Sequence, residues 1–182
     1  SYPTLSYSIG GNSTQLKFGD DYVAWSARPQ KEIDVHGSEL VFVGYGIQAP
    51  ALRWDDYKGI DLKGKTLVML AGDPPGVKEF GTGAGSYYGR WAYKFEMAAR
   101  LGAAGALLIH DPKTAGASYE VLRNTWTNEN FFLDSREPNP DFPLVPGWLQ
   151  HDRARTLVNA AGFDLDKLTR QRIAFGHHGM GD

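Results

Sequence analysis

Between Glu39 and Asp111 the chain carries three short apolar runs and one longer helical period, and this alternation limits the fold more than any other feature. Leu40-Val41-Phe42-Val43 is rich in β-formers and closes at Gly44 and Gly46. Thr66-Leu67-Val68-Met69-Leu70 is a second strand, ended by Asp73-Pro74-Pro75-Gly76, where consecutive prolines cannot donate to a ladder. Ala106-Leu107-Leu108-Ile109 is a third, too short for a helix. Between the last two, Tyr88, Trp91, Phe95, Ala98 and Ala99 recur at helical spacing from about Tyr88 to Leu101. That period predicts a helix with Lys94 and Arg100 in solvent and Gly102 and Gly105 bracketing its end. Strand, helix and strand in this order predict a crossover unit.

The flanking sequence is less regular. Leu16, Phe18, Tyr22, Val23 and Trp25 predict short strands broken at Gly19-Asp20-Asp21. Trp54-Asp55-Asp56-Tyr57, after Pro50, reads as a loop with one helical turn, and Asp61 to Lys65 as a turn. Gly81 to Gly85 reads as a flexible loop, and Tyr119 to Asn124 as a short helix before a polar, Pro-rich stretch. Leu144-Val145 begins a strand, Asp152 is the expected N-cap of a helix over 153–161 stopped by Gly162, and Asp164 the expected cap of a last helix through Leu165, Leu168 and Ile173.

Composition narrows the function. At 182 residues the chain suits one domain with a single core. Its net charge of -2, with Lys and Arg scattered, offers no field for nucleic acid or anionic lipid. The absence of cysteine removes disulfides, thiolate metal sites and cysteine nucleophiles together. No apolar run approaches membrane-spanning length, and no leader opens the chain, so an export signal would lie outside a sequence that reads as an excised piece.

Several motifs invite chemistry and fail on context. Gly59-Ile60-Asp61-Leu62-Lys63-Gly64-Lys65-Thr66 satisfies the phosphate-loop pattern, but that chemistry needs the loop to leave a strand and open a helix. Here Thr66 opens a strand, so the expected role is a turn that launches it. Gly81-Thr82-Gly83-Ala84-Gly85-Ser86 lacks the third glycine of a dinucleotide fingerprint. His36, His110, His151, His177 and His178 show neither His-Glu-x-x-His nor His-x-Asp spacing, and no Glu-Glu pair occurs. His110-Asp111 follows a strand, where α/β folds often place sites, yet adjacent residues of an extended chain face opposite ways. No Gly-x-Ser-x-Gly occurs, and Ser86 and Ser118 have no distinguishable base. The acid pairs Asp20-Asp21 and Asp55-Asp56 read as solvated turn carboxylates. No catalytic, metal or cofactor-binding residue is assigned.

Aromatic residues are the remaining signal. Tyr87, Tyr88, Trp91, Tyr93 and Phe95 fall within nine residues, with Arg90 and Lys94 interleaved. One helical stripe cannot bury them all, so Tyr87 and Tyr93 are expected at a rim. They are either core with scattered surface aromatics or a contact surface, since Tyr, Trp and Arg dominate interface energetics. The contact residues expected on the second reading are Tyr87, Tyr88, Arg90, Trp91 and Trp126.

Phe42-Val43-Gly44-Tyr45-Gly46-Ile47, Trp54-Asp55-Asp56-Tyr57 and Asp61-Leu62-Lys63-Gly64-Lys65 together resemble a protease-associated domain. So do Tyr87-Tyr88-Gly89-Arg90-Trp91, Lys94, Ala98-Ala99-Arg100, Gly102-Ala103-Ala104-Gly105-Ala106 and Val145-Pro146-Gly147-Trp148. The type is the one inserted in zinc-dependent aminopeptidases of the transferrin-receptor and glutamate-carboxypeptidase superfamily. The likeness covers most of 39–165, leaving a strand-rich part over 1–38 and a tail over 166–182 within one domain. It implies a mixed α+β fold of the α/β class, a β-sandwich or open β-barrel flanked by helices. It also implies a non-catalytic insert acting in substrate access, protein–protein contact or assembly. The implied partners are the parent peptidase domain and peptide substrate, with zinc held in the parent only and the parent secreted or periplasmic. The fragment itself is then no enzyme, and its oligomeric state stays open. Two alternatives remain: a stand-alone small-molecule or peptide-binding module with its pocket under the Gly81–Ser86 loop, or a hydrolase using His110 and Asp111.

Overall fold

The computed structural model describes residues 3–26, 32–80, 85–113, 117–127 and 141–170. Most of the Gly81–Ser86 loop, Ile173, His177 and His178 therefore lie outside the described residues. The chain opens with an antiparallel hairpin, β1 (Leu5–Ile9) and β2 (Asn12–Leu16), turning at Gly10-Gly11. There follow β3 (Tyr22–Ala24), β4 (Leu40–Phe42), β5 (Gln48–Ala49), β6 (Trp54–Asp55) and β7 (Thr66–Leu70). The second half supplies α1 (Trp91–Arg100), β8 (Gly105–His110), α2 (Tyr119–Thr127), β9 (Val145–Gln150) and α3 (His151–Ala160).

Among the described residues, five strands form one open mixed sheet in the order β3-β9-β8-β7-β4. Its four right-hand members are parallel, while β3 pairs antiparallel with β9 through Tyr22↔Leu149, Val23↔Trp148 and Ala24↔Gly147. Parallel neighbours need crossovers, and α1 and α2 supply them between β7 and β8 and between β8 and β9. With helices over it, the sheet centre is dry: every residue of β8 and Leu67 to Leu70 of β7 are buried. This is why both strands read as unbroken apolar runs rather than alternating ones. The fold is mixed α+β, as expected, and among the described residues its main sheet does not close into a barrel.

Two local expectations change and a third holds. Trp54-Asp55 is not part of a helical turn; it pairs with Gln48-Ala49 across a short 3-10 turn at Pro50–Leu52. The N-cap of α3 is Gln150 rather than Asp152, because its Oε1 accepts from the amides of Asp152 and Arg153. Asp164 does cap the last helical stretch, accepting from the Lys167 amide at 3.0 Å.

A crossover helix starts at the end of the sheet where its preceding strand finishes. The first turn of α1 therefore sits at the carboxyl ends of β4 and β7, beside Val43–Ile47 and Asp73. That juncture carries the candidate site.

Candidate contact surface and the lysine beneath it

The aromatic residues around the start of α1 divide into two groups. On one side Tyr87, Tyr88 and Tyr93 meet edge to face at ring-centroid distances of 5.1–5.6 Å, and Tyr88 continues through Phe80 to Trp54. On the other, Trp91 meets Trp126 edge-on at 5.3 Å, and Trp126 stacks on Trp25 at 3.9 Å. Phe95 and Phe142 complete this second group, which joins α1, α2 and the segment after β3. Aromatic pairs favour edge-to-face and offset-stacked geometries, and these contacts adopt them.

Of the expected contact residues, Tyr87 and Trp91 are 56% and 41% exposed, Arg90 is exposed, and Tyr88 and Trp126 are half-buried. Tyr93, expected at the rim, is instead buried. Its hydroxyl donates to the Gln48 carbonyl at 3.0 Å and accepts from the Gln48 amide at 3.1 Å, and burial raises its pKa above the ordinary phenol value. That two-way bond explains the correction, since a polar tip with both partners can be buried at little cost. Trp25 and Phe142 escape a local reading because only the fold brings them to Trp126 and Trp91.

Asp73 and Ser86 fix the segment that presents Tyr87. One Asp73 oxygen accepts from the Ser86 amide at 2.5 Å and the other from its hydroxyl at 2.6 Å. The Ser86 hydroxyl oxygen in turn accepts from the amides of Tyr88 and Gly89. Gly89 is required here, because a Cβ would stand 2.7 Å from the Asp73 carboxylate.

Lys94 was expected in solvent and is wholly buried. Its amine donates to the Tyr45 carbonyl and lies 5.7 Å from the centre of the Tyr45 ring. Burial lowers its pKa to about 7 against the opposing pull of Asp56 and Asp73. Burial also holds the hydroxyls of Tyr45 and Tyr57 protonated far above the ordinary range. Asp56, read from sequence as a solvated carboxylate, is buried and accepts from the Ile47 amide at 3.1 Å. The Tyr57 hydroxyl donates to the Gly46 carbonyl. Gly46 has φ of 63° and no room for a Cβ, which would meet the Met69 sulfur at 2.4 Å.

His110 and Asp111 do not act on each other. His110 is buried, with Nε2 2.9 Å from the Ala117 carbonyl and its ring edge-on to Tyr119, while Asp111 accepts from the Lys113 amide. The phosphate-loop match is spent on the sheet as expected. The Gly64 amide donates to Gly102, that of Lys65 to Leu62 and that of Thr66 to Glu39, and the Lys65 amine pairs with Glu39 at 2.9 Å. Among the described residues no three His, Asp or Glu side chains are placed to hold a metal ion, and no helix is long and apolar enough to cross a membrane.

No family model matches the chain, and no curated protein matches it. Four chains of solved structures do. One is an aminopeptidase from Aneurinibacillus sp. strain AM-1, with a TM-score of 0.42 and 20% identity over 87% of this chain. This chain spans 28% of the length of that structure. A likeness of that size leaves function to be read from the residues themselves.

Proposed function

We propose that this chain is a non-catalytic protease-associated domain of a secreted or periplasmic zinc-dependent aminopeptidase of the transferrin-receptor and glutamate-carboxypeptidase superfamily. Its role is contact with the parent peptidase domain and with peptide substrate, in substrate access or assembly. Zinc belongs to the parent's catalytic domain.

The observation that carries the reading is the division of labour at the start of α1. The side chains capable of chemistry there, Lys94, Asp56, Asp73 and Ser86, hold backbone groups of the fold. The side chains left to face outward are Tyr87, Arg90 and Trp91, the residue types that anchor interfaces. The motifs of the sequence resemblance meet at this juncture: Tyr45-Gly46, Asp56-Tyr57, Tyr87 to Trp91 and Lys94.

Hydrolysis of aminoacyl nitroanilides by the purified chain, after metal stripping and zinc re-addition, tests the non-catalytic part; turnover no faster than in buffer is expected. Turnover that co-purifies with the chain and disappears in His110→Ala would favour the hydrolase reading instead. The contact part is tested by binding of the chain to the separately expressed remainder of its parent, with Tyr87→Ala and Trp91→Ala expected to weaken it.

A further inference from the structure

We propose that Lys94 is a pH-sensitive joint, whose protonation loosens the seam between the first turn of α1 and the Val43–Ile47 turn and so frees the exposed segment from Tyr87 to Trp91. Its consequence for partner contact rests on the function proposed above; the joint itself does not.

The seam is built from few bonds. Lys94 ties α1 to the Tyr45 carbonyl, Tyr93 ties it to both backbone groups of Gln48, and Asp73 holds Ser86 at the entry to the helix. The charges acting on the amine are the Asp56 and Asp73 carboxylates, it lies against the Tyr45 ring, and the charge of Asp111 acts on the Tyr45 hydroxyl. Both nearest carboxylates are engaged elsewhere, Asp56 by the Ile47 amide and Asp73 by Ser86. A neutral amine suits this site, because it has two protons to place. An ammonium has three and a full charge, in a place without water access. Acid therefore favours any opening that hydrates the amine, and opening breaks the neighbouring Tyr93 and Asp73 bonds.

The sign follows from linkage. An exposed lysine keeps its proton to about pH 10.4, whereas the buried Lys94 releases it near 7. Between those values the open form binds more protons, so the closed form gains as pH rises. Below about pH 6 both forms are charged, the penalty is complete, and the dependence is flat.

Hydrogen exchange of the Gln48 and Ser86 amides in the whole chain, corrected for the intrinsic effect of pH, reads the opening directly. The opening constant is expected to rise about tenfold from pH 8 to pH 6 and to change little below that. In Lys94→Met the dependence should vanish, while His110→Gln, which removes another buried polar side chain away from the seam, should retain it. Protection that is constant from pH 8 to pH 6, or a dependence that survives in Lys94→Met, overturns the proposal. If Lys94→Met does not fold, the Lys94 Cε carbon shift of the unaltered chain decides. A midpoint near 7 supports the joint, and one above about 9 refutes it.

Discussion

Tyr57 donates its hydroxyl proton to the carbonyl of Gly46 at 2.7 Å, and so fastens the residues after β6 to the turn that ends β4. Both groups are buried, and the turn they hold also supplies the carbonyl bound by Lys94. Tyr57→Phe keeps the ring and strands the Gly46 oxygen. Leaving a buried acceptor unsatisfied costs about 1–3 kcal/mol. Urea denaturation should show that loss as a lower midpoint with an unchanged slope.

Gly89 and Asp73 share one space, so each should fail when the other's room is taken. Gly89→Ala puts a methyl group 2.7 Å from the carboxylate and must displace it from Ser86. Asp73→Ala removes the same bonds from the other side. Each variant is expected to lose about 1.5–3 kcal/mol, the range for hydrogen bonds to a charged group. The double variant should lose much less than the sum, which a denaturation double-mutant cycle would measure.

The two aromatic groups should separate by readout. Tyr87 is more than half exposed, so Tyr87→Ala should change stability by no more than about 0.5 kcal/mol. If Tyr87 is an interface anchor, its loss should weaken partner binding by about 2 kcal/mol or more. Trp126 stacks on Trp25 and meets Trp91, so Trp126→Ala should cost at least about 1 kcal/mol of stability before any partner is added. Calorimetric titration and thermal denaturation of the same samples would distinguish the two effects.

Lys65 offers a check on the phosphate-loop match. It pairs with Glu39 near the surface, so Lys65→Ala should cost no more than about 1 kcal/mol. ATP with magnesium should shift the melting temperature of neither form. A shift in the unaltered chain that is lost in Lys65→Ala would revive nucleotide binding.

The strands at Thr66–Leu70 and Gly105–His110 were legible because burial on both faces leaves an unbroken apolar run. The face of α1 was legible only in part. Counting apolar residues around Trp91 placed Phe95 and Ala98 inside, where they are, but set Lys94 outside, whereas the buried stripe runs through Tyr93, Lys94, Phe95, Met97 and Ala98. It becomes visible only if a lysine is allowed inside, and that depends on a carbonyl from Tyr45, far away in sequence. The same limit hid the Trp25–Trp126 stack and the β5–β6 pairing, which tertiary neighbours create. Gln150 was missed as a cap because glutamine is an uncommon choice there. Of the expected contact residues, Tyr87, expected at the rim, is exposed, as are Arg90 and Trp91, although Trp91 was counted on the apolar side of the helix.

The sheet returns to its own beginning: β3 lies against β9, although the whole of β4 to β8 intervenes. Closing so long a loop is entropically expensive until the intervening strands are in place. The Val23↔Trp148 register should thus be among the last contacts to form during folding. A fragment limited to 39–165, the span of the family resemblance, would leave β9 as a bare edge open to pairing with another chain. The strand contributed by Tyr22–Ala24 is in that sense the fold's guard against aggregation.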